Sequence, residues 1–325
     1  MADGVRAVFL GTPEFALPTL RRLHARGVVQ LVVSQPDRPA GRRGVDRTPA
    51  VITLARELGL PTMQPANPND APSLERMRAA QPDVLVVVAY GRLLRRPLLE
   101  LAPAGVVNLH PSLLPEYRGA SPIQAAIHDG RTRTGVTLMR MDAGLDTGPV
   151  IAAREMSIGP HDTSPALHDR LADAGAELLD EMLDPWVAGR VTTQPQDPEA
   201  ATLTRPLERA DAELDLRRPA QEIYDQWRAF QPWPGAFAVV DGQRVVITAM
   251  DQPLAEGRPV GHASLDGDSL LVGCGSGALR LTGLQPEGRK AMSARAFANG
   301  YSALLRATWG DRLPAHRPPL TRPAS

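Results

Sequence analysis

The densest run of chemically able side chains is Asn108-Leu109-His110-Pro111-Ser112-Leu113-Leu114-Pro115-Glu116-Tyr117-Arg118-Gly119. It follows Val106-Val107, which reads as the end of a strand, and open α/β sheets place their ligand crevice at the carboxyl ends of strands. On an extended backbone, residues two apart project to the same side, so Asn108 and His110 share a face. One offers an amide donor, the other an imidazole able to exchange protons near neutral pH. The ordinary alternative for a histidine at a strand end is a structural group satisfied by its surroundings. The other six of the seven histidines are read that way, because none has a polar partner at comparable spacing.

A second cluster, Met141-Asp142-Ala143-Gly144-Leu145-Asp146-Thr147-Gly148, also follows a predicted strand. Carboxylates among glycines ordinarily build a turn by side-chain-to-backbone hydrogen bonds, and Asp142 is expected to do so. Asp146 acquires a different role only if the fold brings it to His110, which spacing does not decide. Other chemistries lack their residues. There is no HExxH, no GxxxxGK[ST] and no GxSxG, and Gly11-Thr12-Pro13-Glu14-Phe15 stands where a dinucleotide enzyme would carry GxGxxG. A single cysteine, Cys274, excludes an internal disulfide framework and a CxxC zinc site, so no metal is expected.

These residues need a scaffold, and 325 residues are enough for two domains. Apolar content of 43% and charged content of 22% lie in the globular range. The longest apolar run, Val84 to Tyr90, is far short of the roughly 20 residues of a membrane span, and no signal segment is read at the start. A soluble, cytoplasmic chain is expected. In the first half, strand-like runs (Val5 to Leu10, Val28 to Val33, Val84 to Val88, Val106 to Leu109, Val136 to Arg140) alternate with helical segments. Those segments are the stretch from Phe15 to Leu23, Ala50 to Leu58, Ser73 to Ala80 and Gly91 to Leu101. Continuous apolar strands separated by helices predict a doubly wound, mainly parallel sheet covered on both faces. Thr163 to Gly189 is amphipathic, and Thr192 to Pro206 is polar and proline-rich, as a linker is. Beyond it, a helix at Ala220 to Phe230 precedes short apolar segments bounded by Gly or Asp, which predicts a small β-barrel or sandwich. The expected division is therefore an α/β domain over 1–190, a linker over 191–206 and a β domain over 207–325. The first domain is expected to have a core of its own.

Thirty-six basic residues balance thirty-six acidic ones, and all the basic residues but Lys290 are arginine. The balance hides local excess. Arg38, Arg42, Arg43 and Arg47 stand against Asp46 in one loop, where a solvated charged loop and a phosphate-contacting one are both open readings. From Arg280 onward eight basic residues face Glu287 and Asp311. That surplus either packs against the acidic stretch Glu208 to Asp215 or contacts phosphates.

The motifs carry a resemblance. Phe9 to Ala16 and Gln35 to Arg42 resemble the opening strand-turn and following loop of the methionyl-tRNA formyltransferase family. Asn108 to Gly119 resembles the signature shared by enzymes that use 10-formyltetrahydrofolate, and Met141 to Gly148 the family's aspartate loop. Arg228 to Gly235 and Leu284 to Met292 resemble motifs of its C-terminal domain, which one-domain purine-pathway relatives lack. The chain departs at Arg42-Arg43-Gly44-Val45-Asp46-Arg47, where the family's loop is rich in lysine.

The resemblance implies a formyltransferase-type Rossmann-like domain followed by an OB-like barrel. It implies formyl transfer from 10-formyltetrahydrofolate, a co-substrate and not a resident cofactor, to the α-amino group of initiator methionyl-tRNA. Asn108, His110 and Asp146 are then the catalytic residues. Folate is expected between Tyr90-Gly91-Arg92, the Ser112-Leu113-Leu114-Pro115 turn and the Asp146 loop. Contacts to tRNA are expected from Arg38, Arg42, Arg43 and Arg47, and from Arg289 and Lys290, in a monomeric enzyme without metal. Two rivals stand beside this reading: a formyl-folate enzyme acting on a small amine, and a catalytically silent RNA-binding protein.

Overall fold

Strands buried on both faces must be apolar throughout, and the first domain is built on such strands. The computed structural model describes residues 4–40, 45–312, 314–315 and 317–324. In chain order its first part comprises β1 (Ala7–Gly11), α1 (Leu17–Ala25), β2 (Val29–Val33), β3 (Arg38–Ala40), β4 (Val45–Arg47), α2 (Ala50–Glu57), β5 (Thr62–Met63) and α3 (Ala71–Ala79). There follow β6 (Val84–Val88), α4 (Arg96–Leu99), β7 (Val106–His110), β8 (Arg118–Gly119), α5 (Pro122–His128), β9 (Arg133–Arg140), β10 (Val150–Ser157) and α6 (Ser164–Val187). The main sheet runs β10-β9-β7-β6-β1-β2-β5. Its five strands from β7 to β5 are mutually parallel, while β9 runs antiparallel between β7 and β10. One face packs Phe9 and Val86 under Leu20, Val51, Leu167 and Leu171; the other packs Val8 and Leu85 under Leu74, Met77 and Leu98. The chain leaves β1 for β2 on one side and returns through β6 on the other, and this reversal of strand order is where open sheets form a crevice.

Three of the segments that differ from the sequence expectation bear on the site and its surroundings. Of Gly91 to Leu101 only Arg96–Leu99 is helical, because Gly91 takes a left-handed φ of 73° and the chain first runs as a loop held to Asn69 through the Leu93 carbonyl and the Arg95 N–H. β10, half-exposed at the edge, runs Val-Ile-Ala-Ala-Arg-Glu-Met-Ser, with neither strict polar–apolar alternation nor the continuous apolar signal of the inner strands. The predicted linker contains a strand, β11 (Thr202–Thr204), which pairs parallel with β8.

The second domain comprises α7 (Ala220–Ala229), β12 (Phe237–Val240), β13 (Gln243–Leu254), β14 (Ala263–Asp266), β15 (Ser269–Gly273), β16 (Ala278–Pro286), β17 (Met292–Ser293), α8 (Ala294–Gly300) and α9 (Ser302–Arg306). Its antiparallel sheet follows β12-β13-β16-β15-β14, with β17 on β16, and forms a half-barrel. Register shifts along β13 bend that long strand, as bulges do. Ile223, Trp227, Val245, Leu270, Leu281 and Phe297 form the core.

The first core is not wholly its own, contrary to expectation. Ala229 at the end of α7, Phe230 just after it, and Leu320 near the C-terminus are part of it. Phe230 stacks on His128 at 5.6 Å. Arg228, paired with the buried Asp225, donates to the Asp162 carbonyl at 2.7 Å. The chain end forms β18 (Thr321–Pro323), which pairs with β11.

Candidate active site

Asn108 and His110 stand on β7 with side chains to one side, as alternation requires, and both are buried. The Asn108 side chain makes no hydrogen bond among the described residues, although it lines the cleft wall. His110 is oriented from behind: its Nε2 lies 2.9 Å from the Tyr117 carbonyl oxygen. A carbonyl only accepts, so Nε2 carries the hydrogen and Nδ1 is the nitrogen left to exchange a proton. Tyr117 holds a left-handed φ of 59°, which turns that carbonyl toward the imidazole.

Antiparallel pairing sets Arg140 beside Val107, at the far end of β7 from His110. The loop after β9 therefore doubles back along β7, and it brings Asp146 Oδ2 to 3.6 Å from His110 Nδ1. The turn within it is made as expected: Asp142 Oδ1 accepts from the Gly144 N–H at 3.0 Å and from the Thr147 hydroxyl at 2.6 Å. Asp146 itself sits at φ 52°, and its Oδ2 accepts from the Gly119 N–H at 2.9 Å. The contact that spacing left open is thus made by tertiary folding.

All three residues line one cleft of about 850 Å³, together with Tyr90, Gly91 and Arg92. The Tyr90 ring is buried among Val8 and Leu10, and burial pushes its phenol up to about 12. Its main-chain carbonyl accepts from Thr12 Oγ1 at 3.0 Å and Gln35 Nε2 at 2.7 Å, tying the ends of β1 and β2 to the end of β6. Ser112, Leu113, Leu114 and Pro115 do not line the cleft. Ser112 is fully buried and donates to the Glu116 carbonyl, while Thr137 on β9 donates to the Ser112 carbonyl and accepts from the Leu114 N–H. The turn lies outside the cleft lining, because its polar groups are spent on β9, on the Thr202 N–H of the interdomain segment, on the His110 carbonyl and on itself.

The sequence reading missed the apolar half of the cleft. Phe15, Leu94, Ile123 and Leu145 line it, as does His168 on α6, set edge-on to Phe15 at 5.1 Å. His168 lies far along the chain, so no local pattern marks it.

Arg38 and Arg47, with Thr12, Glu14 and Gln35, line a smaller cavity of about 280 Å³ that shares Pro13 with the cleft. Arg38 donates to Gln35 and Arg47 pairs with Glu14 at 3.1 Å, so part of the loop's charge is locally answered. Arg42 and Arg43 lie outside the described residues. Arg289 and Lys290 are exposed in the second domain and form no ion pair among the described residues. Arg312 and Arg317 do pack against the acidic stretch, on Glu213 and Glu208. Among the described residues no group of acidic, histidine or cysteine side chains is arranged to hold a metal ion, and no helix is long and apolar enough to cross a membrane.

Comparison with known proteins places this architecture. The family described as "Formyl transferase" matches residues 5–183, and "Formyl transferase, C-terminal domain" matches 206–302. Methionyl-tRNA formyltransferase of Geobacter metallireducens is 43% identical over 298 residues, covering 91% of this chain and 96% of the relative. That of Myxococcus xanthus is 44% identical over 91% of this chain and 95% of its own. Among solved structures, an N-formyltransferase from Helicobacter canadensis, in complex with folinic acid and dTDP-3-aminofucose, superposes with a TM-score of 0.65. It is 15% identical and covers 87% of this chain and all of that one, which is likeness of fold. With both domains matched in order and close relatives aligned along nine tenths of its length, the chain belongs to the methionyl-tRNA formyltransferase family.

Proposed function

We propose that this protein moves the formyl group of 10-formyltetrahydrofolate onto the α-amino group of methionine carried by initiator tRNA, with Asn108, His110 and Asp146 at the reacting atoms. The observation that carries this reading is the convergence, in one cleft, of a buried amide without a partner among the described residues and an imidazole 3.6 Å from a carboxylate. The methionine amine attacks the formyl carbon and a new C–N bond forms. The carbonyl electron pair moves onto oxygen, and the Asn108 amide donates to that oxyanion. His110 Nδ1, held beside Asp146, takes the proton leaving the amine. As the electron pair on the oxyanion re-forms the C=O bond, the bond to the folate nitrogen breaks, and that nitrogen receives from His110 the proton taken from the amine. Atoms and charge balance without a covalent enzyme intermediate.

The folate lies along Tyr90, Gly91 and Arg92 on one side and the Asp146 loop on the other, with its apolar body against the Phe15, Leu94 and Ile123 wall. Arg38 and Arg47 line the smaller cavity beside the cleft, where an acceptor stem would enter, and Arg42, Arg43, Arg289 and Lys290 are to supply further phosphate contacts. Turnover with 10-formyltetrahydrofolate and charged initiator tRNA, run beside uncharged tRNA, free methionine and small amino-sugar nucleotides, tests the reading. Charged tRNA alone should be formylated. Faster formylation of a small amine, or no turnover with any acceptor, would overturn it.

A further inference from the structure

The segment joining the two domains reaches the reacting residues. Gln196, half-buried on that segment, spends its whole amide on the site. Its Nε2 donates to the main-chain carbonyls of Asp146 at 2.8 Å and Gly148 at 2.7 Å. Its Oε1 accepts from Arg118 Nε at 3.0 Å and Nη2 at 2.8 Å. Arg118 is itself buried and forms no ion pair among the described residues, so the amide oxygen is the principal acceptor its guanidinium has there. A cation on the acceptor side of an amide polarises it and strengthens the donors at its other end.

The two loops joined in this way are the ones that make the His110–Asp146 contact. One carries the Tyr117 carbonyl that orients His110 and the Gly119 N–H that holds Asp146 Oδ2. The other carries Asp146 in a left-handed conformation, which a non-glycine residue keeps only when its surroundings enforce it. Local bonds from Asp142 shape the outer part of that loop, whereas Gln196 holds the carbonyl of Asp146 itself. The same segment fixes the first loop, where Thr202 Oγ1 accepts from the Tyr117 N–H at 2.7 Å and Thr204 Oγ1 donates to the Arg118 carbonyl at 3.1 Å.

From this geometry we infer that Gln196 is a positioning residue for formyl transfer: the interdomain segment sets Asp146 against His110 through one side-chain amide. The inference rests on the roles proposed above for Asp146 and His110. Two variants of the full chain separate its parts. Gln196→Leu removes every bond, and Gln196→Glu keeps an acceptor for Arg118 but cannot donate to Asp146 or Gly148. Both should lower kcat by about 10- to 100-fold, the cost of misplacing a reacting group by about an ångström. KM for folate and for charged tRNA should stay within about twofold, and Gln196→Glu should keep the wild-type melting temperature. In an Asp146→Ala background, Gln196→Leu should cost little more, since residues acting through one another are not additive. Wild-type kcat in Gln196→Glu, or a full additional loss in the Asp146→Ala background, would overturn the inference. The roles proposed for Asp146 and His110 fail separately, if Asp146→Ala alone turns over normally.

Discussion

At the residue scale, the chemistry depends on which polar groups are left without protein partners. His110 has one nitrogen engaged by the Tyr117 carbonyl and the other facing Asp146, while the Asn108 amide is kept free in the cleft wall. A buried amide without a protein partner is costly unless a ligand completes it. Asn108→Ala should therefore be tolerated by the fold and felt in the reaction. Asn108→Ala and His110→Ala should each lower turnover by roughly 10²–10⁴, with tRNA affinity, measured by filter binding, nearly unchanged. Normal turnover in either variant would make that residue structural. Single-turnover kinetics shows whether each loss falls on the chemical step.

At the element scale, the short strand β8 against β11 joins the site to the interdomain segment. Gly119 occupies φ 104°, and a Cβ there would lie 2.4 Å from the Thr204 carbonyl oxygen. Gly119→Ala must push β8 off β11, so it should cost about 1–3 kcal/mol of stability and lower kcat, because the displaced N–H no longer holds Asp146. Thermal melts and kcat on the same preparation check this; unaltered values in both would mean that β8 does not position the site. A second staple lies just beyond β11. Arg205 meets Asp211 through two bonds, at 2.7 and 2.8 Å, and also donates to the Pro318 carbonyl. Burial alone would raise the Asp211 carboxyl, but the bonds from Arg205 and from the Glu208 N–H outweigh it and hold it below its ordinary 3.8. A depressed carboxylate stabilises the fold above its unfolded value, and that contribution is lost as pH falls through the folded value. The melting-temperature gap between wild type and Asp211→Asn should thus be full at about pH 5 and close on acidification. A gap independent of pH would assign the effect to packing.

At the scale of the whole molecule, the two domains share apolar surface. Phe230 belongs to the core of the first domain although it ends a helix of the second, and burying one phenylalanine stabilises by about 1.5–3 kcal/mol. A fragment of residues 1–206 should consequently melt below the full chain and bind apolar dyes, and its loss of activity would not isolate a role in tRNA binding. Charge substitutions on the intact chain do so. Arg280 and Arg295 are occupied by Asp266 and Asp268, and Arg312 and Arg317 by Glu213 and Glu208, whereas Arg289 and Lys290 extend from the half-barrel without such partners among the described residues. Replacing both with Gln should weaken tRNA binding and reduce the slope of log affinity against log salt by about one for each phosphate no longer neutralised. Folate binding should be unaffected. An unchanged slope would move the phosphate-binding surface elsewhere.

What the sequence determined alone follows from period and position. Val84 to Val88 is readable as an inner strand because burial on both faces demands unbroken apolarity, and Asn108 with His110 is readable as a pair because strand geometry places them on one side. The Asp142 turn is legible for the same local reason. The edge strand β10 is not, because a half-exposed strand carries only weak alternation. Tertiary structure decided everything that depends on distant segments meeting. Asp146 reaches His110 only because the loop after β9 folds back along β7, and the Ser112 to Pro115 turn faces away because Thr137 takes its polar groups. A proline-rich stretch with linker composition became a strand against β8, because β8 offered unpaired main-chain groups and Thr202 and Thr204 could satisfy its loop. Composition reports how much of a segment wants to be buried; which partner it meets is settled by the fold as a whole.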